Sequence, residues 1–325
     1  MLKVKSDINL RFNYFKVDDV DPDLSLYVVN EIKVDKTKAK RIGLYYFGSQ
    51  DGNWLYYESS LFGIKLQVLI KNLTGKKTEV FMTKPYYLAK RPTTLWRDIH
   101  SFLQIKLLQK NALFLHSACI SSQADGFLIS AFADTGKTLT VLKCLENKAF
   151  HYVSDDLVIV DNDGFAWSMP RLINFDSLKR AGYLKNQSVL RKNLFSKISK
   201  MPLLFTYAEP IDAIDIYKAL NLTIKEKTRI NKIFFLENDD ESSELISENV
   251  AAWRLRLLNK IEFSYFPEIV YVYSYLNQFF DYCRLEKTQD DLISNLSRNA
   301  TSCILKSKKP DKFASMLLQG VMNHK

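Results

Sequence analysis

Apolar runs rich in aromatic and β-branched residues recur through residues 1–90 and alternate with short polar segments. Such runs predict β-strands where turn residues separate them. We predict strands at Leu26–Val29, Arg41–Phe47, Trp54–Tyr57, Gly63–Ile70 and Glu79–Met82, with turns at Asp51-Gly52 and Gly75-Lys76. No convincing helical period appears among these runs, so we expect this part of the chain to form an antiparallel sheet.

The pattern then changes to strands that alternate with helices. We predict helices at Thr93–Gln109 and Lys137–Leu145, strands at Leu113–Ile120, Gly126–Ser130, Phe150–Val153, Phe165–Ser168, Lys232–Leu236 and Cys303–Leu305, and helical segments at residues 241–285 and 308–322. Residues 155–161 are expected to continue the strand that precedes them. This order predicts an α/β fold, α+β overall, with a β-rich N-terminal domain or extension at residues 1–92 and a mixed-sheet domain at 93–325.

Composition narrows the class of protein. Hydrophobic residues make up 47% and charged residues 25% of the chain, which is ordinary for a soluble globular protein. No apolar run approaches the roughly 20 residues that span a bilayer, and the N-terminus lacks the apolar core of a signal peptide. We therefore expect a cytoplasmic protein without a membrane partner. The four cysteines show no metal-binding spacing and are expected to be buried, reduced thiols.

The net charge of +10 is compatible with nucleic acid, a membrane surface or a polyanionic substrate such as a nucleotide. The basic residues are spread along the chain, and the densest run, Lys306–Lys312, has the character of a solvated turn. Charge alone therefore does not favour nucleic-acid binding, and we expect a nucleotide instead.

Residues 131–138 follow the frame of a phosphate-binding loop, G-x-x-x-x-G-K-[ST], with Ala131 in place of the first glycine. In such a loop the backbone N–H groups at a helix N-terminus face phosphate oxygens. Lys137 would bridge the β- and γ-phosphates of ATP, and the Thr138 hydroxyl would bind Mg²⁺. The predicted nucleotide-binding residues are Ala133, Asp134, Thr135, Gly136, Lys137, Thr138 and Leu139.

Two features of this loop leave alternatives open. Asp134 would repel a triphosphate, so we expect its carboxylate to point outward or to cap the helix. A helix that merely begins with Gly-Lys-Thr is the other interpretation of the motif.

Asp155 and Asp156 interrupt an apolar segment one strand after the loop. Adjacent side chains of a strand point to opposite faces, so the two carboxylates need not share a role. One of them near Thr138 would complete a Mg²⁺ site, and the other would accept the proton of an attacking hydroxyl. A turn with two solvated aspartates is the alternative, which the apolar flanks disfavour.

Three segments in this order resemble the HPr serine kinase/phosphorylase family and its kinase-like relatives, and more distantly ATP-dependent phosphoenolpyruvate carboxykinase. They are Leu115–Ala118, the loop with the strand before it, and Val153–Val158, and the resemblance covers roughly residues 93–175. It implies a P-loop mixed-sheet core of the HPr-kinase/carboxykinase type and a kinase that uses ATP and Mg²⁺. Ala131 departs from the family's pattern. The downstream signature for phosphorolysis is also absent, so phosphorylase activity is not expected.

The resemblance also implies roles for individual residues. It places His116 beside the reaction centre, Lys137 and Thr138 on phosphate and metal, Asp155 as the base and Asp156 on the metal. A phosphoryl-transfer site needs a further cation. We take Arg171 as the first candidate, with Arg229, Arg254 and Arg256 as alternatives.

We therefore expect a kinase that transfers the γ-phosphate of ATP to a hydroxyl of a peptide or protein serine, or of a small molecule. Two other functions stay open from the sequence. A non-catalytic, nucleotide-binding regulatory protein would explain Ala131 and Asp134, and a carboxykinase-like lyase is the third. The acceptor, the preferred nucleotide and assembly into a homo-oligomer are left open.

Overall fold

A computed structural model describes residues 2–8, 21–49, 53–89, 92–123, 125–170, 172–174, 213–215, 221–263 and 268–322. Its described helices are α1 (Lys84–Ala89), α2 (Pro92–Leu108), α3 (Lys137–Leu145), α4 (Glu248–Phe263), α5 (Glu268–Leu276), α6 (Tyr282–Asn299) and α7 (Lys312–Met322). Two mixed sheets accompany them, so the predicted α/β fold is confirmed.

The described strands fall into three sheets. They are β1 (Val4–Ser6), β2 (Leu24–Val29), β3 (Lys40–Ile42), β4 (Tyr45–Gly48), β5 (Trp54–Leu61), β6 (Ile64–Lys71), β7 (Thr78–Thr83), β8 (Ala112–Leu115), β9 (Ser117–Ser122), β10 (Asp125–Ser130), β11 (Phe150–Ser154), β12 (Val158–Asp161), β13 (Phe165–Trp167), β14 (Leu172–Asn174), β15 (Ala213–Asp215), β16 (Lys227–Glu237), β17 (Ser242–Ile246) and β18 (Thr301–Lys306). The pair β14–β15 forms a separate two-stranded sheet.

The chain divides into two compact units. The first holds the described residues that fall within 1–110 and 265–286, and the second holds the other described residues. The division comes after Lys110, and the domain boundary predicted after residue 92 stays a prediction.

The first unit contains a seven-stranded sheet in the order β1-β2-β7-β6-β5-β4-β3. Strands β1, β2 and β7 are parallel to one another, and the remaining neighbours are antiparallel. The sheet is therefore mixed, and the expectation of a purely antiparallel sheet was wrong. The single strand predicted at Arg41–Phe47 is two strands, because Gly43 adopts a left-handed φ of 56° and turns the chain.

The second unit is built on a nine-stranded sheet. Its central strands β10, β16 and β18 are parallel, and β9 runs antiparallel to both β10 and β11. The helices α3 and α7 contribute Val141 and Phe313 to a buried core that also contains Ile129 of β10. In open sheets of this kind, ligands bind beyond the carboxyl ends of the parallel strands.

Three local predictions in the second unit were wrong. The apolar run Leu113–Ile120 is two strands separated at His116, and residues 155–161 leave β11 for a new strand, β12, which pairs with β8. Residues 242–246, predicted to be helical, form β17 against β18. Residues 242–246 are a strand because their backbone pairs with β18. Most β17 side chains are exposed, so the sequence shows no alternation of buried and exposed positions that would predict a strand there.

The cysteines and the helices test two further expectations. Cys119 and Cys144 are buried free thiols, and burial raises the pKa of Cys144 to about 12. Cys283 is exposed, so the expectation of burial was wrong for it.

Of the helices in the described ranges, none has the length and apolar character needed to cross a membrane.

Candidate functional site

Three chain segments meet at one edge of the nine-stranded sheet. Strand β9 is antiparallel to β10 and β11, so its start lies beside the ends of both: Ser117 pairs with Ser130, and Cys119 pairs with Ser154. His116 precedes β9, the loop 131–136 follows β10, and the aspartate pair follows β11. The register therefore brings together the three motifs that the sequence singled out.

The loop 131–136 ends at the N-terminus of α3. Gly136 is the N-cap residue, with a left-handed φ of 114°, and no side chain of the described residues caps this end of the helix. The first N–H groups of a helix have no partner within the helix. Together with the helix dipole, they form a favourable site for an anion such as a phosphate.

Ala131 replaces the first glycine of the loop without backbone strain. Its side chain is buried in the core with Phe127 and Val141, and it is not among the described residues with a positive φ. The left-handed conformations of this loop lie instead at Asp134, with φ of 62°, and at Gly136. A glycine is thus needed at position 136 and not at position 131.

Gly136 is also confined from outside the loop. A Cβ atom at this position would lie 2.7 Å from Cβ of Pro310, which belongs to the loop 307–311 between β18 and α7. That loop is anchored by the Ser307 N–H, which donates to the Glu237 carbonyl over 3.0 Å. Sequence reasoning missed Pro310, because nothing local relates it to Gly136.

Lys137, His116 and Asp156 form a cluster beside the N-terminus of α3. The Lys137 Nζ lies 2.9 Å from Nε2 of His116 and 3.6 Å from a carboxylate oxygen of Asp156. The same oxygen lies 3.5 Å from Nδ1 of His116. Lys137 is buried while the Asp156 side chain is 47% exposed, so a ligand can reach the cluster from the Asp156 side.

The second aspartate has a different partner. The Thr138 hydroxyl donates to the Asp155 carboxylate, with oxygen distances of 3.0 and 3.3 Å, and Asp155 is buried. Asp156 adopts a left-handed φ of 68°, which turns the chain between the two side chains. The structure thus places Asp155 at Thr138 and Asp156 at Lys137, whereas the family resemblance implied a metal site of Thr138 and Asp156.

Asn259 of α4 is a residue that sequence reasoning missed. Its Oδ1 accepts a hydrogen bond from the backbone N–H of His116 over 3.1 Å, and its side chain is buried. A backbone N–H can only donate, so this contact fixes the orientation of the amide. Asn259 holds the chain where β8 ends and β9 begins, and therefore supports the position of His116.

The other predicted residues are distributed as follows. Ala133 and Asp134 are exposed, while Thr135 and Leu139 are half-buried. Arg171 lies outside the described residues. Of the alternative cations, Arg254 binds Glu237 and Arg256 binds Asp290. Arg229 lies on β16 opposite Asp125 in the strand register, at the start of β10 and thus at the opposite end of that strand from the loop.

The oxygen atoms around Thr138 suit a hard cation. A hydroxyl and a carboxylate are ligands that Mg²⁺ prefers, and Mg²⁺ commonly takes only one or two carboxylates from the protein, with water and phosphate oxygens completing its shell. No group of three or more His, Cys, Asp or Glu side chains with metal-binding geometry occurs in the part of the chain that the structure describes. The donors present therefore fit Mg²⁺ bound together with a nucleotide.

Comparisons with known proteins do not identify a family for this chain. No family model matches the sequence, and no curated protein does. Among solved structures, the chain is similar to the Hpr(Ser) kinase/phosphatase from Coxiella burnetii, with 10% sequence identity over 65% of this chain and 95% of that chain, and a TM-score of 0.30. A TM-score this low does not assign a function to this protein.

Proposed function

We propose that this protein is an ATP-dependent phosphotransferase that moves the γ-phosphate to a hydroxyl group. The acceptor is a serine of a peptide or protein, or a small molecule. The observation that carries the proposal is the convergence of Lys137, His116 and Asp156 beside the Thr138–Asp155 pair at the N-terminus of one helix. A lysine, a hydroxyl and two carboxylates at a helix N-terminus are the groups that phosphoryl transfer requires.

The phosphates are held by α3 and its lysine. The N–H groups at the start of α3 and the Lys137 ammonium supply fixed positive charge where negative charge accumulates in the transition state. Since Lys137 is buried, its charge is less screened by water than that of a surface lysine. The contact with His116 holds the ammonium in place.

When bound, ATP would supply the phosphoryl group, and Mg²⁺ would offset the negative charge of the phosphate oxygens. Thr138 and Asp155 are the residues of this chain that would hold the metal, because their oxygens are already adjacent. Asp155 is buried, which suits a fixed ligand better than a group that must meet an incoming acceptor.

Asp156 is then the group that receives the acceptor's proton. It is half-exposed, and it contacts both Lys137 and His116. A general base has to lie within hydrogen-bond reach of the hydroxyl that it deprotonates. This assignment reverses the division of roles that the family resemblance implied.

Three further expectations from the sequence stay predictions. They are Arg171 as a further cation, the cytoplasmic location and assembly into a homo-oligomer.

The test is transfer of labelled γ-phosphate from ATP in the presence of Mg²⁺. Purified protein is offered seryl peptides, proteins and small hydroxyl compounds, and Asp156→Asn is compared with the wild type. We expect a labelled acceptor with the wild type and almost none with Asp156→Asn. Tight Mg²⁺·ATP binding without turnover on any acceptor would instead favour a non-catalytic regulatory protein. Equal labelling by the wild type and Asp156→Asn would refute Asp156 as the base.

A further inference from the structure

The turn between β5 and β6 has an unusual residue in a strained position. Phe62 and Gly63 both have positive φ values, 50° and 79°, as in the type I′ turn of a two-residue hairpin. Asn-Gly is the usual pair in such a turn, and a bulky aromatic residue with positive φ is an outlier. The backbone therefore does not explain the choice of phenylalanine.

Burial does not explain it either. The Phe62 side chain is 92% exposed, and Leu61 and Ile64 beside it are 47% and 55% exposed. The neighbouring turn, between β3 and β4, adds two more exposed apolar side chains, Ile42 and Leu44. Leu44 lies beside β5, since its carbonyl accepts the Glu58 N–H over 3.1 Å. We call these five residues the hairpin tip.

The β5–β6 part of the hairpin tip projects beyond the β3–β4 turn. Strand β4 reaches β5 only as far as Glu58, whereas the β5–β6 ladder continues through Ser59, Ser60 and Leu61. Three further residues at about 3.3 Å each carry the turn roughly 10 Å beyond the end of β4. Leu61, Phe62 and Ile64 thus form an apolar projection whose side chains are exposed in the described part of the structure.

Basic groups flank the hairpin tip, and the nearby acid is paired. Arg41 donates from Nε to the Gly43 carbonyl over 3.1 Å, which places its guanidinium beside Leu44. Lys65 follows Ile64 directly and is exposed. Glu58, at the base of the tip, accepts a hydrogen bond from Lys36 over 3.1 Å. A partner must therefore accept apolar side chains at its centre and positive charge at its rim.

Two kinds of protein partner fit these features poorly. A second copy of the chain would bring the same positive charges face to face. A different protein needs about 800 Å² of matched surface on each side for a standard interface, which five side chains on two neighbouring turns do not provide. A bilayer interface has no such requirement, because it takes up single apolar side chains to a depth of about 5–10 Å and attracts basic residues when its lipids are anionic.

We propose that the hairpin tip inserts into the surface of membranes that contain anionic lipids. Phe62, Leu61 and Ile64 enter the boundary between headgroups and acyl chains, while Arg41 and Lys65 contact the headgroups. The prediction of no membrane partner came from the absence of a spanning segment and a signal peptide, and a peripheral contact requires neither. This proposal does not depend on the proposed transferase activity.

The test is co-sedimentation of the full chain with vesicles of phosphatidylcholine alone or of phosphatidylcholine mixed with phosphatidylserine. We expect binding to the mixed vesicles, weakened by salt. Phe62→Asn should reduce it by about tenfold, the loss of one buried aromatic side chain. Asn tolerates a positive φ, so this variant should melt at the same or a higher temperature than the wild type. Phe279→Asn is the matched control, since Phe279 is also highly exposed and lies outside the tip.

A second pair of variants tests the contribution of positive charge. Lys65→Glu should weaken binding to the mixed vesicles, whereas Lys76→Glu, in the exposed turn at the other end of β6, should not. The proposal is overturned if wild-type protein binds neither kind of vesicle, or if Phe62→Asn and Phe279→Asn bind equally. A monomer–dimer equilibrium that Phe62→Asn abolishes, without vesicle binding, would assign the tip to a second copy and also overturn it.

Discussion

Two regions contain non-glycine residues with positive φ: the sheet edge of the second unit where the loop 131–136 and the aspartate pair meet, and the hairpin tip of the first unit. At the sheet edge these residues are Asp134 and Asp156, and at the tip it is Phe62. Asp adopts this conformation more readily than Phe, whose bulk makes it a true outlier. The two regions thus carry local strain of the same kind but of different severity.

The regions differ in what accompanies the strain. Asp156 contacts Lys137 and His116 within its own unit, whereas the Phe62 side chain is almost fully exposed. Strained conformations persist where the surrounding structure supports them or where function requires them. The comparison suggests that the first region is organised internally for a small ligand and that the second is directed at an external surface.

The largest effect is expected for Lys137→Met, which keeps most of the buried stem and removes the charge. Loss of one group that stabilises transition-state charge costs about 100- to 1000-fold in rate, and we expect phosphate transfer to fall by that factor. Lys143→Met, in the last turn of the same helix, is the matched control and should leave the rate unchanged. Vesicle binding should be the same in both variants. A similar loss in both would show that the effect is structural.

The two aspartates should separate metal binding from proton transfer. Asp155→Asn should raise the Mg²⁺ concentration for half-maximal transfer, because the carboxylate beside Thr138 is lost. Asp156→Asn should lower the rate about 100-fold even at saturating Mg²⁺. Initial rates across a Mg²⁺ series give both quantities. The opposite pattern would restore the assignment that the family resemblance implied, with Asp155 as the base.

Gly136→Ala should destabilise the second unit through two separate causes. The left-handed φ costs about 1–3 kcal/mol for alanine, and the new Cβ would lie 2.7 Å from Pro310. Gly164→Ala isolates the first cause, because Gly164 has a φ of 76° and no atom within 4 Å of an added Cβ. Urea denaturation should show a larger loss of unfolding free energy for Gly136→Ala. Equal losses would mean that Pro310 does not confine the loop.

Asn259→Ala should leave the part-buried His116 N–H without this acceptor, at a cost of about 1 kcal/mol in unfolding free energy. The transfer rate should also fall, because His116 supports Lys137. Asn277→Ala is the control, since Asn277 is another buried asparagine that accepts a backbone N–H, from Phe279 over 3.1 Å in the first unit. It should cost similar stability without slowing transfer. If both variants keep the wild-type rate, Asn259 is structural only.

The smallest effect concerns the base of the hairpin tip. Hydrogen bonds, first from the Tyr56 hydroxyl and then from Gln67 and Lys36, lower the pKa of Glu58 from its ordinary value of 4.5 to about 2, against the opposing effect of partial burial. A carboxyl whose pKa is lower in the folded state contributes stability above its unfolded pKa and loses it on protonation. The first unit should therefore lose stability as the pH falls from 4.5 toward about 2.

Glu58→Gln is the matching variant for that pH effect. It keeps an oxygen acceptor for Tyr56 but cannot titrate, so its urea midpoint should change less with pH over the same interval. If wild type and variant show the same pH dependence, Glu58 is not the group responsible.

The sequence predicted most of what lies near a motif. Helix α3 begins and ends where its period and the Gly-Lys-Thr motif indicate, and the strands around it follow from their apolar runs. Strand ends were harder to predict where two apolar runs join. His116 and Asp155 both lie where a strand ends, and neither end is visible as a polar turn in the flanking residues.

Contacts between residues far apart in the chain could not be predicted from the sequence. Pro310 limits Gly136, and Asn259 holds His116, only because sheet register and helix packing bring distant segments together. The strain at Phe62 was missed for a different reason. Its turn contains a single glycine, and an apolar sequence hides the positive φ that Asn-Gly would have signalled.

The phosphate site at the start of α3 can be tested by equilibrium titration of ATP into the wild type and Lys137→Met, with and without Mg²⁺. This measurement requires no knowledge of the acceptor. We expect Mg²⁺ to strengthen ATP binding to the wild type and Lys137→Met to weaken it by about tenfold or more, the loss of one charged hydrogen bond. Failure of the wild type to bind ATP, or equal binding by both proteins, would contradict a phosphate site at this helix.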